Sequence, residues 1–148
     1  MRYLAAALLI LVVVSGFSRT ISGSVLVGRG FSRATSVWSG VYTTQQADAG
    51  EKIYFARCST CHGNELEGRE QAPALGGPQF LDSWHGKDLR RLLDRILTMP
   101  LGDKPVTQAE AVELLAFLLR SSEMPSGSTA LPADRALLSA ITFERAKP

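Results

Sequence analysis

Cysteine and histidine are scarce in this chain of 148 residues, which has two of each. Cys58 and Cys61 leave no second ligand pair at zinc-finger spacing. No Ser/His/Asp set and no carboxylate pair points to a reaction of its own. Gly76-Gly77-Pro78 is preceded by no strand and followed by no Lys-Ser/Thr that opens a helix, which removes a phosphate-cradling loop. Strand signals are also missing, because Val25-Leu26-Val27 is too short and isolated to seed a sheet. The unbroken apolar run Tyr3–Val14, 12 residues long, falls short of the roughly 20 needed to span a membrane. At 16.0 kDa, large enzymes and repeat arrays are excluded.

Acidic residues are absent from the first 36 positions, where Arg2, Arg19, Arg29 and Arg33 all lie. Removing these four from the 16 Lys+Arg leaves 12 against 14 Asp+Glu, so residues 37–148 carry about −2 by side-chain count. That is too little positive charge to track a phosphate backbone, and nucleic acid is not an expected partner. With 45% hydrophobic and 20% charged residues, the remainder has a globular composition.

Met1-Arg2 followed by Tyr3–Val14 and then Ser15-Gly16-Phe17 has the n-region and h-region of an export signal. Residues 1–17 are read as a signal peptide, cleaved near Val14-Ser15-Gly16, or as an uncleaved N-terminal anchor. No cysteine follows the run, so nothing supports lipid attachment there. Residues 18–36, rich in Ser, Gly and Arg and without a sustained period, read as a flexible linker.

The periodicity beyond the linker is helical. A first helix is expected over Gln45–Arg57, with Ala49, Ile53, Tyr54 and Ala56 on one flank. In Lys87–Leu97, the residues Leu89, Leu92, Leu93, Ile96 and Leu97 recur at helical spacing, with Arg90, Arg91, Asp94 and Arg95 as a solvated face. Thr107 and Glu110 form a capping box for a third helix running to about Arg120, with Ala111, Leu114, Leu115 and Leu118 as its core stripe. A short helix from Pro132 to Ile141, presenting Leu137, Leu138 and Ile141, precedes a frayed end. Loops are expected at 63–86 and 98–106. A 24-residue loop is unusual in a compact domain, and suggests that something other than side chains fills the centre.

Both cysteines lie in Cys58-Ser59-Thr60-Cys61-His62, the attachment signature of c-type haem. Two thiols three residues apart at a helix end can each bond one vinyl group of a single porphyrin, and the adjacent His62 is then held beneath the iron as an axial ligand. A redox dithiol needs no following histidine and sits at a βαβ helix start, which is absent. A zinc site would have to recruit His85. For a second axial ligand the chain offers Met99, Met124 or His85.

Gly50 stands eight residues before Cys58 and Tyr54 four before it, and Glu113-Leu-Leu-Ala-Phe117-Leu-Leu follows the loops. On these features and the attachment motif, residues 37–148 resemble a monohaem class I c-type cytochrome of the bacterial periplasmic type associated with dehydrogenases. The resemblance implies an all-α class I cytochrome c fold, three to four helices around one haem c bound covalently through Cys58 and Cys61. It implies that the helices cross at Gly50, under Leu114 and Phe117. It implies His62 and Met99 as iron ligands, the Pro73 carbonyl as acceptor for the His62 ring N–H, Leu75 against the porphyrin and Trp84 at a propionate. The implied role is non-enzymatic: a periplasmic single-electron carrier between a dehydrogenase and an oxidase or another cytochrome. Left as alternatives are a fixed haem subunit of a dehydrogenase, and a sensor or peroxidase with open iron.

Overall fold

The computed structural model describes residues 35–70, 72–99 and 104–147; the expected signal peptide or anchor and nearly all of the expected linker lie outside them. Six helices and one two-stranded parallel pair are present among the described residues. They are β1 (Thr35–Ser36), α1 (Thr44–Arg57), α2 (Ser59–His62), α3 (Gly77–Trp84), α4 (Leu89–Leu97), α5 (Gln108–Ser121), α6 (Arg135–Ser139) and β2 (Ile141–Thr142).

The two longest helices begin with reciprocal caps. Thr43 Oγ1 accepts from the Gln46 amide, and the Gln46 side chain accepts from the Thr43 amide. Thr107 and Glu110 make the same exchange at α5, as the sequence pattern indicates. Gln46 also joins both backbone groups of Leu131, at 2.7 and 3.0 Å, so the start of α1 fastens the segment after α5.

Helices α1 and α5 make the most extensive contact in the fold. Gly50 is what lets them cross: a Cβ there would lie 1.9 Å from the Glu113 carbonyl oxygen and 2.9 Å from Phe117 Cβ. Phe117 thus lies over Gly50 as expected, and the closest approach of all is that of the Glu113 backbone. The buried side of α1 is Ala47, Gly50 and Tyr54, with Ala49 and Ile53 only half-buried and Ala56 exposed. The flank is rotated from the expected one because the glycine, invisible to a hydrophobicity pattern, occupies the closest point. From Ala111 to Leu119 every residue of α5 except Glu113 is buried, making it the central helix.

Further expectations are corrected. The 63–86 segment is not one loop: Gly77–Trp84 is helical, with Phe80 3% exposed. Gly-Gly-Pro reads as a breaker, yet proline in a first helical turn forfeits no hydrogen bond and presets φ. The tail is not frayed. Thr35 and Ser36 pair with Ile141 and Thr142, Phe143 donates to the Lys87 carbonyl and accepts from the Gly86 amide, and Trp38 Nε1 donates to the Glu144 carbonyl. Thr35 and Ser36, inside the expected linker, are therefore part of the folded domain. The helix expected to reach Ile141 ends at Ser139; Leu138 of α6 and Ile141 of β2 are buried, while Leu137 is exposed. Asp94 pairs with Arg90 of its own helix and with Arg135 of α6, so part of the charged face of α4 ties helix to helix.

Candidate functional site

The chain leaves α1 through Cys58, which caps both α1 and α2, and the four-residue α2 brings Cys61 and His62 onto the same side. Three backbone bonds stabilise this turn, from the Cys61 and His62 amides to the Cys58 carbonyl at 3.2 and 3.0 Å and from the Gly63 amide to the Ser59 carbonyl at 2.9 Å. Tyr54, buried to 1% exposure, fastens its far end by donating from its hydroxyl to the Gly63 carbonyl at 2.6 Å. Burial, with smaller contributions from Cys58 and Glu67, pushes the Tyr54 hydroxyl up to about 12, so it remains a donor at any ordinary pH. Gly63 has φ +83, and a Cβ there would strike the Glu67 carboxylate. That carboxylate accepts from the Glu65 amide at 2.8 Å, and backbone hydrogen bonding holds it below the usual carboxylate range.

Beyond Gly63 the chain folds back on itself, Gly68 donating to the His62 carbonyl and Leu75 to the Leu66 carbonyl, both at 2.8 Å. This return carries Pro73 over the imidazole, and its carbonyl oxygen lies 2.8 Å from His62 Nδ1. A carbonyl can only accept, so Nδ1 carries a proton and Nε2 is the ring nitrogen left to serve as a ligand.

A mostly apolar cavity of about 620 Å³ opens beside this turn. It falls within the roughly 300–1,000 Å³ of cofactor pockets. All seven residues singled out from the sequence line it: Cys58, Cys61, His62, Pro73, Leu75, Trp84 and Met99. Helix α3 supplies Phe80 and Trp84, α4 supplies Leu92 and Ile96, and α5 supplies Leu114 and Leu118. Neither thiol is in a disulfide; Cys58 is half-buried and Cys61 exposed. Burial raises the Cys58 thiol above its ordinary value, Arg57 partly opposing it.

The other two ligand candidates lie elsewhere. Met124 is 2% exposed in the core, its carbonyl accepting from the Tyr42 hydroxyl, and it does not line the cavity. His85 is exposed, and its Nδ1 receives the Arg145 amide at 3.4 Å. No group of three or more His, Cys, Asp or Glu suited to a metal occurs among the described residues, which leaves the zinc alternative without a ligand set.

Three basic side chains on the wall were not anticipated: Arg57, Lys87 and Arg95. Arg95 is exposed, as expected of the solvated face of α4, and also reaches the cavity, because Leu92, Arg95, Ile96 and Met99 recur at i, i+3, i+4 and i+7 and form one stripe along it. Counting only apolar positions hides it. Lys87 sits 5.1 Å from the centre of the Trp84 ring. Trp84 Nε1–H donates to none of the described residues.

A pair of thiols, a backbone-oriented imidazole and a thioether around one apolar cavity suit a porphyrin, whose apolar plane takes the walls, whose vinyl groups take the sulfurs and whose iron takes the nitrogen. Helices crossing over such a cavity define a c-type cytochrome domain, a class that carries electrons on haem. Residues 45–118 match the family model described as cytochrome c oxidase, cbb3-type, subunit III, and the chain belongs to that family. Comparisons with curated proteins and with solved structures return no match.

Proposed function

We propose that the chain is a periplasmic single-electron carrier holding one haem c, joined to Cys58 and Cys61 and ligated axially by His62 and Met99. The observation that carries this reading is the convergence of those four side chains on one apolar cavity, with His62 Nδ1 turned to the Pro73 carbonyl. A haem with nitrogen and thioether on its two faces supplies a one-electron couple of raised potential and no open position for substrate.

The protein's own groups prepare this site. Donation to Pro73 orients the His62 ring, fixes its tautomer and makes Nε2 a stronger base. Trp84 Nε1–H is available to a propionate, and Lys87 and Arg95, which pair with no carboxylate among the described residues, add positive charge on the same wall. Phe80, Leu92, Leu114 and Leu118 exclude water from one side.

The donor in this reading is a periplasmic dehydrogenase, and the acceptor is an oxidase or another respiratory cytochrome. The matched family's description names an oxidase subunit. That favours one second reading, a haem domain held permanently in a membrane complex by a retained N-terminal segment. No helix among the described residues is long and apolar enough to cross a membrane.

The test is export in a host with haem-attachment machinery. The denatured protein should weigh one haem more than its polypeptide. The weak sulfur-to-iron absorption of the ferric protein should vanish in Met99→Ala and persist in Met124→Ala. Extractable haem removes the covalent claim, and the reverse methionine pattern moves the ligand.

A further inference from the structure

The region that matches the family ends at Leu118, yet the chain continues past α5 and returns to the corner between α3 and α4. There the Phe143 amide donates to the Lys87 carbonyl at 2.8 Å, and the Gly86 amide donates to the Phe143 carbonyl at 2.9 Å. The Arg145 guanidinium pairs with Asp82 of α3. This tail is itself held by the start of the domain, since Trp38 Nε1 donates to the Glu144 carbonyl at 3.0 Å and the Ser36 hydroxyl donates to the Glu144 carboxylate.

Helix α3 depends on such a hold. Among the described residues it makes no extensive contact with another helix, and of its eight residues only Phe80 is buried. The Phe143 ring, 1% exposed, meets Phe80 nearly edge-on, with centroids 5.9 Å apart and planes at 85°. Phe80 in turn lies 6.3 Å from the Trp84 ring, and both line the cavity. Aromatic pairs prefer defined geometries, so fixing one ring restricts the next. Lys87, whose carbonyl the tail holds, donates from Nζ to the Ser83 carbonyl at 2.6 Å and sits over the Trp84 ring.

We propose that Phe143 is a positioning residue for Trp84: through Phe80, and through the backbone of residues 86–87, it sets where the indole N–H meets a haem propionate. The proposal rests on the haem reading above. A half-buried side chain on a short helix is held in one rotamer by what packs behind it, and here that support comes from a segment outside the matched region.

Tyr42 provides the internal control. Its hydroxyl donates to the Met124 carbonyl at 2.6 Å and so fastens the beginning of the same C-terminal segment, but neither residue lines the cavity.

The experiment follows indole N–H exchange by NMR in the ferrous holoprotein. Trp38 and Trp84 are the chain's two tryptophans, so Trp38→Phe and Trp84→Phe assign the two signals. Phe143→Ala should accelerate exchange of the Trp84 N–H about tenfold or more. The reduction potential should fall with it, because a propionate that loses its donor leaves more uncompensated negative charge beside the iron. Phe143→Leu, which keeps most of the bulk, should recover part of both changes. Trp38→Phe should move both in the same direction by less, since the Phe143–Phe80 contact survives. Tyr42→Phe should leave both unchanged even where it lowers thermal stability. If haem is bound and Phe143→Ala accelerates Trp84 exchange no more than Tyr42→Phe does, or leaves the potential at its wild-type value, the positioning role is overturned. A protein that carries no covalent haem overturns the haem reading itself, and the proposal with it.

Discussion

The crossing of α1 and α5 and the cavity beside it share these two helices, the cavity adding walls from α3 and α4, but they satisfy their groups differently. At the crossing, protein meets protein: backbone sits on Gly50, the Tyr54 and Phe117 rings lie 5.1 Å apart, and Arg120 closes onto Asp48 and Glu51. One turn further along, side chains are aimed at a space that no side chain fills. Two unbridged thiols, the His62 imidazole and the Trp84 indole, whose N–H has no acceptor among the described residues, all line it. The crossing is thus held by groups of the protein itself, whereas the cavity lining is the part that the proposed haem would contact.

The largest expected effect breaks this comparison directly. Cys58→Ala combined with Cys61→Ala should abolish covalent attachment. In the resulting protein, amide exchange should accelerate by orders of magnitude in α3, α4 and the 64–76 return, while the α1–α5 crossing remains the slowest region. Uniform acceleration, measured by mass spectrometry of exchanged fragments, would show that the crossing has no independent stability.

Gly50→Val attacks the other region. With no room for a Cβ against the Glu113 carbonyl, the helices must separate, at a cost of about 3 kcal/mol or more in chemical denaturation. A loss below about 1 kcal/mol would mean that the crossing tolerates separation.

The smallest effect lies at the boundary, where Tyr54 serves both regions. Tyr54→Phe removes the bond to the Gly63 carbonyl and should cost about 1 kcal/mol at neutral pH. The Tyr54 hydroxyl is raised from 10.0 to about 12 in the folded protein, so its contribution is complete below about pH 10 and is lost as pH rises through about 12. The stability gap between wild type and Tyr54→Phe should accordingly narrow over that interval. A gap independent of pH would show that the hydroxyl ionises as readily in the folded as in the unfolded chain.

Local chemistry was legible in advance where it depends on neighbours in sequence. The Thr107/Glu110 capping box, the apolar stripe of α4 and the C-x-x-C-H run are all spaced within one or two helical turns. Helix α3 was missed because Gly76-Gly77-Pro78 has the composition of a turn, and only the packing of Phe80 beneath the cavity distinguishes a helix start from a breaker. The clip of Thr35–Ser36 on Ile141–Thr142 joins residues more than a hundred positions apart, and no short-range pattern announces such a pairing.

By itself, the sequence determined the helical class, the two thiols and imidazole, and a short set of possible second ligands, because these follow from residue type and spacing. Tertiary structure decided what faces the cavity. It put Met99 on the wall, Met124 in the core and His85 beside the tail. It also turned Arg57 toward Lys104 and Glu110, and Arg95 onto the Leu92–Met99 stripe. The physical reason is that a thioether or a guanidinium has the same local preferences in either setting. Only the packing of distant helices, set by the approach at Gly50, determines which of them meets the empty volume and which meets protein.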